Sequence, residues 1–169
     1  PMEPRFEMSY QASEEMYCKL FARLYGKRYM VYAIFFVLFA LWMGFLWFLN
    51  REWLYGIMMT IFVVGAVWYM HYPAMMGRKN YKSRLEHLRG GEPSIRVAFG
   101  DEILVEEDGS GKSLSYERVA SFYTNEGLLI FVMQYHSAYF APLSCLTGGT
   151  KEELFAFLKE KCPNAKFHV

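Results

Sequence analysis

Tyr29–Leu49 reads YMVYAIFFVLFALWMGFLWFL, 21 residues without a charge. Asn50-Arg51-Glu52 follows, and Trp53–Tyr72 is again free of Asp, Glu, Lys and Arg. At about 1.5 Å per residue, a helix of either length crosses a hydrocarbon layer of about 30 Å. So short a linker forces the helices antiparallel, and the sequence predicts a transmembrane hairpin with spans at 29–49 and 53–72. Neither run carries the polar stripe of a helix on a soluble domain. A chain of 169 residues is also too small to enclose two such helices. Tyr29, Tyr32, Trp47, Trp53, Trp68, Tyr69 and Tyr72 lie toward the span ends, where aromatic rings favour the headgroup level. Gly44, Gly56 and Gly65 form no GxxxG pair, so that motif encodes no close helix contact.

Flanking charge sets the expected orientation. Arg23, Lys27 and Arg28 precede the first span; Arg78, Lys79, Lys82, Arg84 and Arg89 follow the second. The intervening loop has Arg51 beside Glu52. Positive charge stays cytoplasmic, which predicts a multi-pass protein of the cytoplasmic membrane with both termini inside. The first apolar run is too long for a signal peptide, and no small-residue cleavage site follows it. Pro1 ahead of Met2 reads as an addition before the natural start.

Around the hairpin, the period of the apolar residues changes from segment to segment. In 3–28, Arg5–Tyr10 alternates as a half-buried strand does. Ser13 with Glu14 and Glu15 then starts a helix whose apolar face is Met16, Tyr17, Leu20, Phe21, Leu24 and Tyr25. That face can lie on the membrane or pack on a cytoplasmic domain. Its mixed, weakly basic polar side favours packing. In 73–91, Pro73 is expected to interrupt the helix, Gly77–Arg89 to form a basic juxtamembrane helix, and Gly90-Gly91 with Pro93 to end it. Arg78, Lys79, Lys82, Arg84 and Arg89 are the candidate lipid-headgroup contacts. As a plain positive-inside anchor, the same residues would only set topology.

From Ser94 the period is two. Strands are expected at Ile95–Phe99, Glu102–Glu107, Lys112–Tyr116, Arg118–Thr124, Leu128–Gln134 and Ala138–Pro142, separated by turns such as Asp108-Gly109 and Asn125-Glu126-Gly127. Thr150 and Glu153 form a capping box for an amphipathic helix over Lys151–Lys161. With the strand near Phe6 returning to the sheet as an edge strand, about seven strands and a C-terminal helix result. The predicted fold class is therefore an α+β membrane protein: a two-helix transmembrane hairpin inserted in a cytoplasmic PH-like antiparallel β domain, with 92–169 as its main part.

The residues argue for a non-enzymatic chain. Gly109-Ser110-Gly111-Lys112-Ser113 ends like a phosphate-binding loop, but Glu106 stands where the loop needs glycine, and a strand follows instead of a helix. Cys18, Cys145 and Cys162 make no CxxC. His71, His87, His136 and His168 are scattered, so no metal or other cofactor is expected. His71 at the inner end of the second span suits an interfacial place, and neither span holds a carboxylate for ion coupling. Ser94–Val169 holds seven Lys and Arg against ten Asp and Glu, a net of −3, which excludes nucleic acid as a partner.

The order of parts resembles the YcxB-like family of bacterial membrane proteins over nearly the whole chain. Phe6-Glu7-Met8 precedes an acidic helix start, and the spans close at Tyr72-Pro73. Ile103–Gly109 is similar to the family's strand and acidic-glycine turn, Tyr116-Glu117-Arg118-Val119 to its next strand, and Ala138–Pro142 to its strand ending in proline. Tyr116 stands where the family has Trp, and Leu143-Ser144 where a basic residue is usual. The resemblance implies the architecture and carries no activity or catalytic residues. The function read from the sequence is a membrane-tethered interaction or scaffolding module whose partners are the bilayer and a protein or a second copy of itself. Alternatives are a sensor of anionic lipid or a small molecule, and a self-protection protein that blocks a toxin at the membrane.

Overall fold

The computed structural model describes residues 4–89 and 91–168. The readings of Pro1, and of Gly90 in stopping the second helix, lie outside those residues. Strand β1 is Phe6–Gln11. Helix α1 runs unbroken over Glu14–Asn50, and α2 over Trp53–His87. Ser13 caps α1, its hydroxyl accepting from the Met16 amide. The linker turns through Arg51, whose left-handed backbone lets its N–H return to the Trp47 carbonyl.

Both helices are long and apolar enough to cross a membrane, with mean hydropathy 2.2 and 1.7 in their most apolar windows. Only 11% and 6% of those windows is buried within the protein, whereas the core helix of a soluble domain is mostly covered. What they bury is small. Ala33 and Ala40 on α1, and Ala66, Pro73 and Gly77 on α2, are buried along the seam. A Cβ on Gly77 would stand 2.8 Å from the Cys18 backbone, so glycine permits this crossing. Higher up, Gly65 makes a socket for the Phe36 ring, and Tyr29–Tyr72 and Phe36–Tyr69 pair at 4.9 and 5.1 Å. Close approach is thus achieved by single small residues without GxxxG.

Pro73 does not interrupt α2, contrary to the sequence reading. The boundaries drawn at 28/29 and 72/73 are likewise not breaks in structure. Proline removes one backbone hydrogen bond, but the helix continues through it, with Pro73 buried and the Cys18 thiol donating to the Ala74 carbonyl at 3.6 Å.

Strands β2 (Ser94–Phe99), β3 (Ile103–Glu107) and β4 (Ser110–Leu114) form a meander. Strands β5 (Val119–Asn125), β6 (Leu128–Met133) and β7 (Ala138–Pro142) form a second. Two short strands exceed the expected seven: β8 (Leu146–Thr147) and β9 (Lys166–His168). The sheets run β4-β3-β2-β1-β8 and β7-β6-β5-β9. β1 pairs with β2 from Phe6↔Phe99 to Gln11↔Ser94, and on its other side with β8. It is therefore interior to its sheet and not the edge strand expected, because Leu146 and Thr147 cover its outer side. The two-residue turns Asp108-Gly109 and Glu126-Gly127 have positive φ at both positions, which suits the twist of tight hairpins.

The sheets enclose one core of large side chains, including Phe6, Phe99, Phe122 and Phe131. Helix α3 (Lys151–Lys161), started by the Thr150–Glu153 capping box, closes the end near Phe6, where Phe157 meets Phe6 at 5.5 Å. The start of α1 closes the other end, where Tyr17 meets Phe140 at 5.2 Å. The Tyr10 hydroxyl donates to the Phe140 carbonyl and ties the sheets together there.

Candidate functional site at the neck

The first three turns of α1, the last turns of α2 and the open end of the two sheets meet at a neck. The apolar face read from the sequence packs on the β domain: Leu20 is buried, and Met16, Tyr17, Phe21 and Leu24 lie against the core. Polar contacts hold α1 to the β5–β6 hairpin. Lys19 Nζ lies 2.7 Å from Glu15 and 3.3 Å from Glu126, and the Asn125 amide donates to the Lys19 carbonyl at 3.2 Å. The Arg23 guanidinium sits 4.8 Å from the Tyr123 ring centroid.

The basic residues of α2 divide. Arg84 turns to the β domain, with Nη2 2.5 Å from Glu107 and 3.2 Å from Asp108. Burial pulls its guanidinium down, but the hydrogen bond and charge of Glu107 outweigh that and hold it above its ordinary value. Arg78 Nε reaches Glu14 at 3.2 Å on an exposed surface. Lys79 and Lys82 are exposed and make no ion pair among the described residues. Arg89 is exposed just past the helix, with a left-handed backbone. The continuous helix carries Lys82 and Arg84 about 15 and 18 Å beyond Tyr72, while a headgroup layer is about 5–8 Å deep. Arg78, Lys79 and Lys82 line one shallow recess on α2 with Met75, Ser83 and Glu86, whereas Arg84 belongs to the neck.

Between α1, α2, the inner face of the first sheet and β7 lies a cavity of about 290 Å³. Phe21, Leu24, Ile95 and Val97 make its apolar wall; Asn80, Arg84, Glu107 and His136 make its polar side. Burial pushes the Tyr17 hydroxyl up, and likewise that of Tyr139, so both remain neutral donors. The sequence reading put Glu107 at the end of the strand Glu102–Glu107 and did not single it out as a wall residue. The signal was there: Ile103, Val105 and Glu107 alternate on one face of β3.

Gly109–Ser113 forms a hairpin turn and edge strand, as the glycine-poor approach to Lys112 implied. Cys162 is buried and its thiol is pushed up to about 11. Among the described residues, no group of three His, Cys, Asp or Glu is placed to hold a metal. Comparison with protein-family models, curated proteins and solved structures finds no match to this chain.

Proposed function

We propose that this chain is a membrane-tethered interaction module: a multi-pass transmembrane hairpin that holds a PH-like domain, of the kind seen in the YcxB-like family it resembles, against the cytoplasmic face of a bacterial membrane. The supporting observation is the continuity of α1 and α2 from their apolar middles into the fabric of the β domain. Helix α1 closes one end of the core, and α2 is fastened by Arg84 to Glu107 and Asp108. A domain fixed at two points presents one surface at a constant height and angle. That arrangement suits recruitment of a protein partner, or of a second copy through an exposed sheet edge such as β4. Cross-linking in intact membranes followed by gentle solubilisation tests the reading. A discrete higher-mass species should appear; monomer alone at every cross-linker length overturns it.

The neck cavity favours a second reading, a sensor of a small molecule at the membrane. Its walls belong both to the helices and to the sheets, so an occupant would alter how they fit together. Filling it with Leu24→Trp should abolish any ligand-dependent rise in melting temperature. A ligand that still stabilises this variant binds elsewhere.

A further inference from the structure

We infer that the neck cavity is a site for a small organic cation, an ammonium group carried on an apolar body, an inference that rests on reading the cavity as a ligand site. Tyr17, Phe21, Tyr25, Tyr139 and Phe140 put five aromatic rings on its walls. The rings of Tyr17 and Phe140 meet at 74°, so they form a corner and not a flat wall. Ring faces carry negative charge density and attract a cation that has shed part of its water. An uncharged apolar molecule would suit the same rings, so the charged groups decide the class.

Arg84 is the one Lys or Arg among the described residues of the wall, and it faces two carboxylates, Glu107 at 2.5 Å and Asp108 at 3.2 Å. One guanidinium against two carboxylates leaves one negative charge over. The Asp108 side chain is only 19% exposed, which weakens the screening of that charge by water. Arg84 donates to Oε2 of Glu107; Oε1 has no hydrogen-bond partner among the described residues and can accept from an ammonium N–H. The field of this carboxylate reaches the rings. Burial pushes the Tyr17 and Tyr139 hydroxyls up, and the charge of Glu107 adds to that in both. An anion entering the cavity would have to displace Glu107 from Arg84 and would still meet Asp108 beside it. A volume of about 290 Å³ is at the small end of ligand sites, and it fits a molecule of about ten non-hydrogen atoms, not a whole lipid.

Fluorine NMR on the full chain in nanodiscs of neutral lipid tests this, with empty nanodiscs as the blank for partitioning. The probes are 4-fluorophenethylammonium, the corresponding alcohol and 4-fluorophenylacetate, which differ in charge and little in size. His136 is the other ionisable wall residue outside the tyrosines, so titrations run at about pH 8, above the range in which imidazoles ordinarily titrate. The ammonium should broaden saturably, with a Kd about ten-fold or more below those of the other two. Leu24→Trp should abolish the signal. Asp108→Asn keeps the oxygen that accepts from the Ser94 amide and suits the left-handed backbone there. It should raise the Kd by about ten-fold, and Glu107→Gln by at least as much. Each variant is checked for the parent's thermal transition; where Leu24→Trp loses it, Asp108→Asn decides.

Alcohol or acetate binding as tightly as the ammonium, and lost in Leu24→Trp, overturns the cation and leaves the cavity a ligand site. An ammonium Kd unmoved by Asp108→Asn and Glu107→Gln overturns the cation as well. Ammonium binding that persists in a folded Leu24→Trp lies elsewhere and overturns the site. No saturable signal from any of the three removes the inference together with the ligand reading beneath it.

Discussion

In the β domain large side chains are completely shielded, Phe6, Phe99, Phe122 and Phe131 among them. Along the α1–α2 seam the buried residues are Ala33, Ala40, Ala66, Pro73 and Gly77, while Leu41, Phe48 and Val64 point outward at 66%, 68% and 61% exposure. One rule applied in two solvents accounts for both regions under the proposed membrane hairpin. Water rewards withdrawal of apolar area, so large residues go inside. Hydrocarbon offers no such reward, and helices associate there by close approach, for which small residues are needed. The burial of the two long helices is what the proposed membrane hairpin requires.

The comparison breaks most completely if the β half proves independent of the segment before the hairpin. A chain beginning at Ser94 lacks β1, the strand between β2 and β8. It should show no cooperative thermal transition, and a peptide covering residues 4–28 should restore one. A fragment that melts cooperatively and ignores the peptide would contradict the shared core. Next in size is a pair of truncations. Phe131→Ala should lower stability by about 3–5 kcal/mol in denaturant titrations of the micelle-bound protein. Leu41→Ala, at an outward-facing position on α1, should stay within about 0.5 kcal/mol. Equal losses would mean that both halves sense the same solvent.

The reverse substitution sharpens the contrast. Gly77→Val adds apolar bulk where the Cys18 backbone is 2.8 Å from the position of a Cβ, and should cost about 1–3 kcal/mol despite its greater hydrophobicity. Its measured loss tests the close approach of Gly77 to Cys18 at the neck end of the seam, where added volume is penalised as removed volume is at Phe131. The smallest effect belongs to the outer face of the first sheet. There the Arg96 hydrogen bond holds the Glu7 carboxyl below its ordinary 4.5. The native chain takes up this proton less readily than the unfolded one. Its contribution is therefore present above pH 4.5 and is lost as pH falls through the depressed native value. Glu7→Gln should cost at most about 1 kcal/mol at neutral pH, and its stability curve should converge on that of the parent in acid.

What was legible in the sequence was local. Charge-free length gave the two long helices, Ser13 and Thr150 gave the caps of α1 and α3, and alternation with Asp-Gly and Glu-Gly turns gave the meanders. The misread features depend on a neighbour remote in the chain. Pro73 breaks an isolated helix and survives in one buried along α1. β1 reads as an edge until Leu146–Thr147, too short to register as a strand, is laid beside it. Arg84 looks like one cation in a basic run, and only the tertiary fold brings Glu107 to it. The cavity has no local signal, since its walls come from six separate elements of the chain.

The pairing of β1 with β2 also bears on how the protein is made. Phe6–Gln11 leaves the ribosome long before its partner Ser94–Phe99, and the whole hairpin is synthesised between them. If both helices insert, the two strands emerge on the same face of the bilayer and the sheet can close. If only one inserts, they are stranded on opposite faces, and Phe6, Met8 and Tyr10 have no core to enter. Under the proposed topology, completion of the sheet therefore requires that both helices have inserted, since only then do β1 and β2 meet.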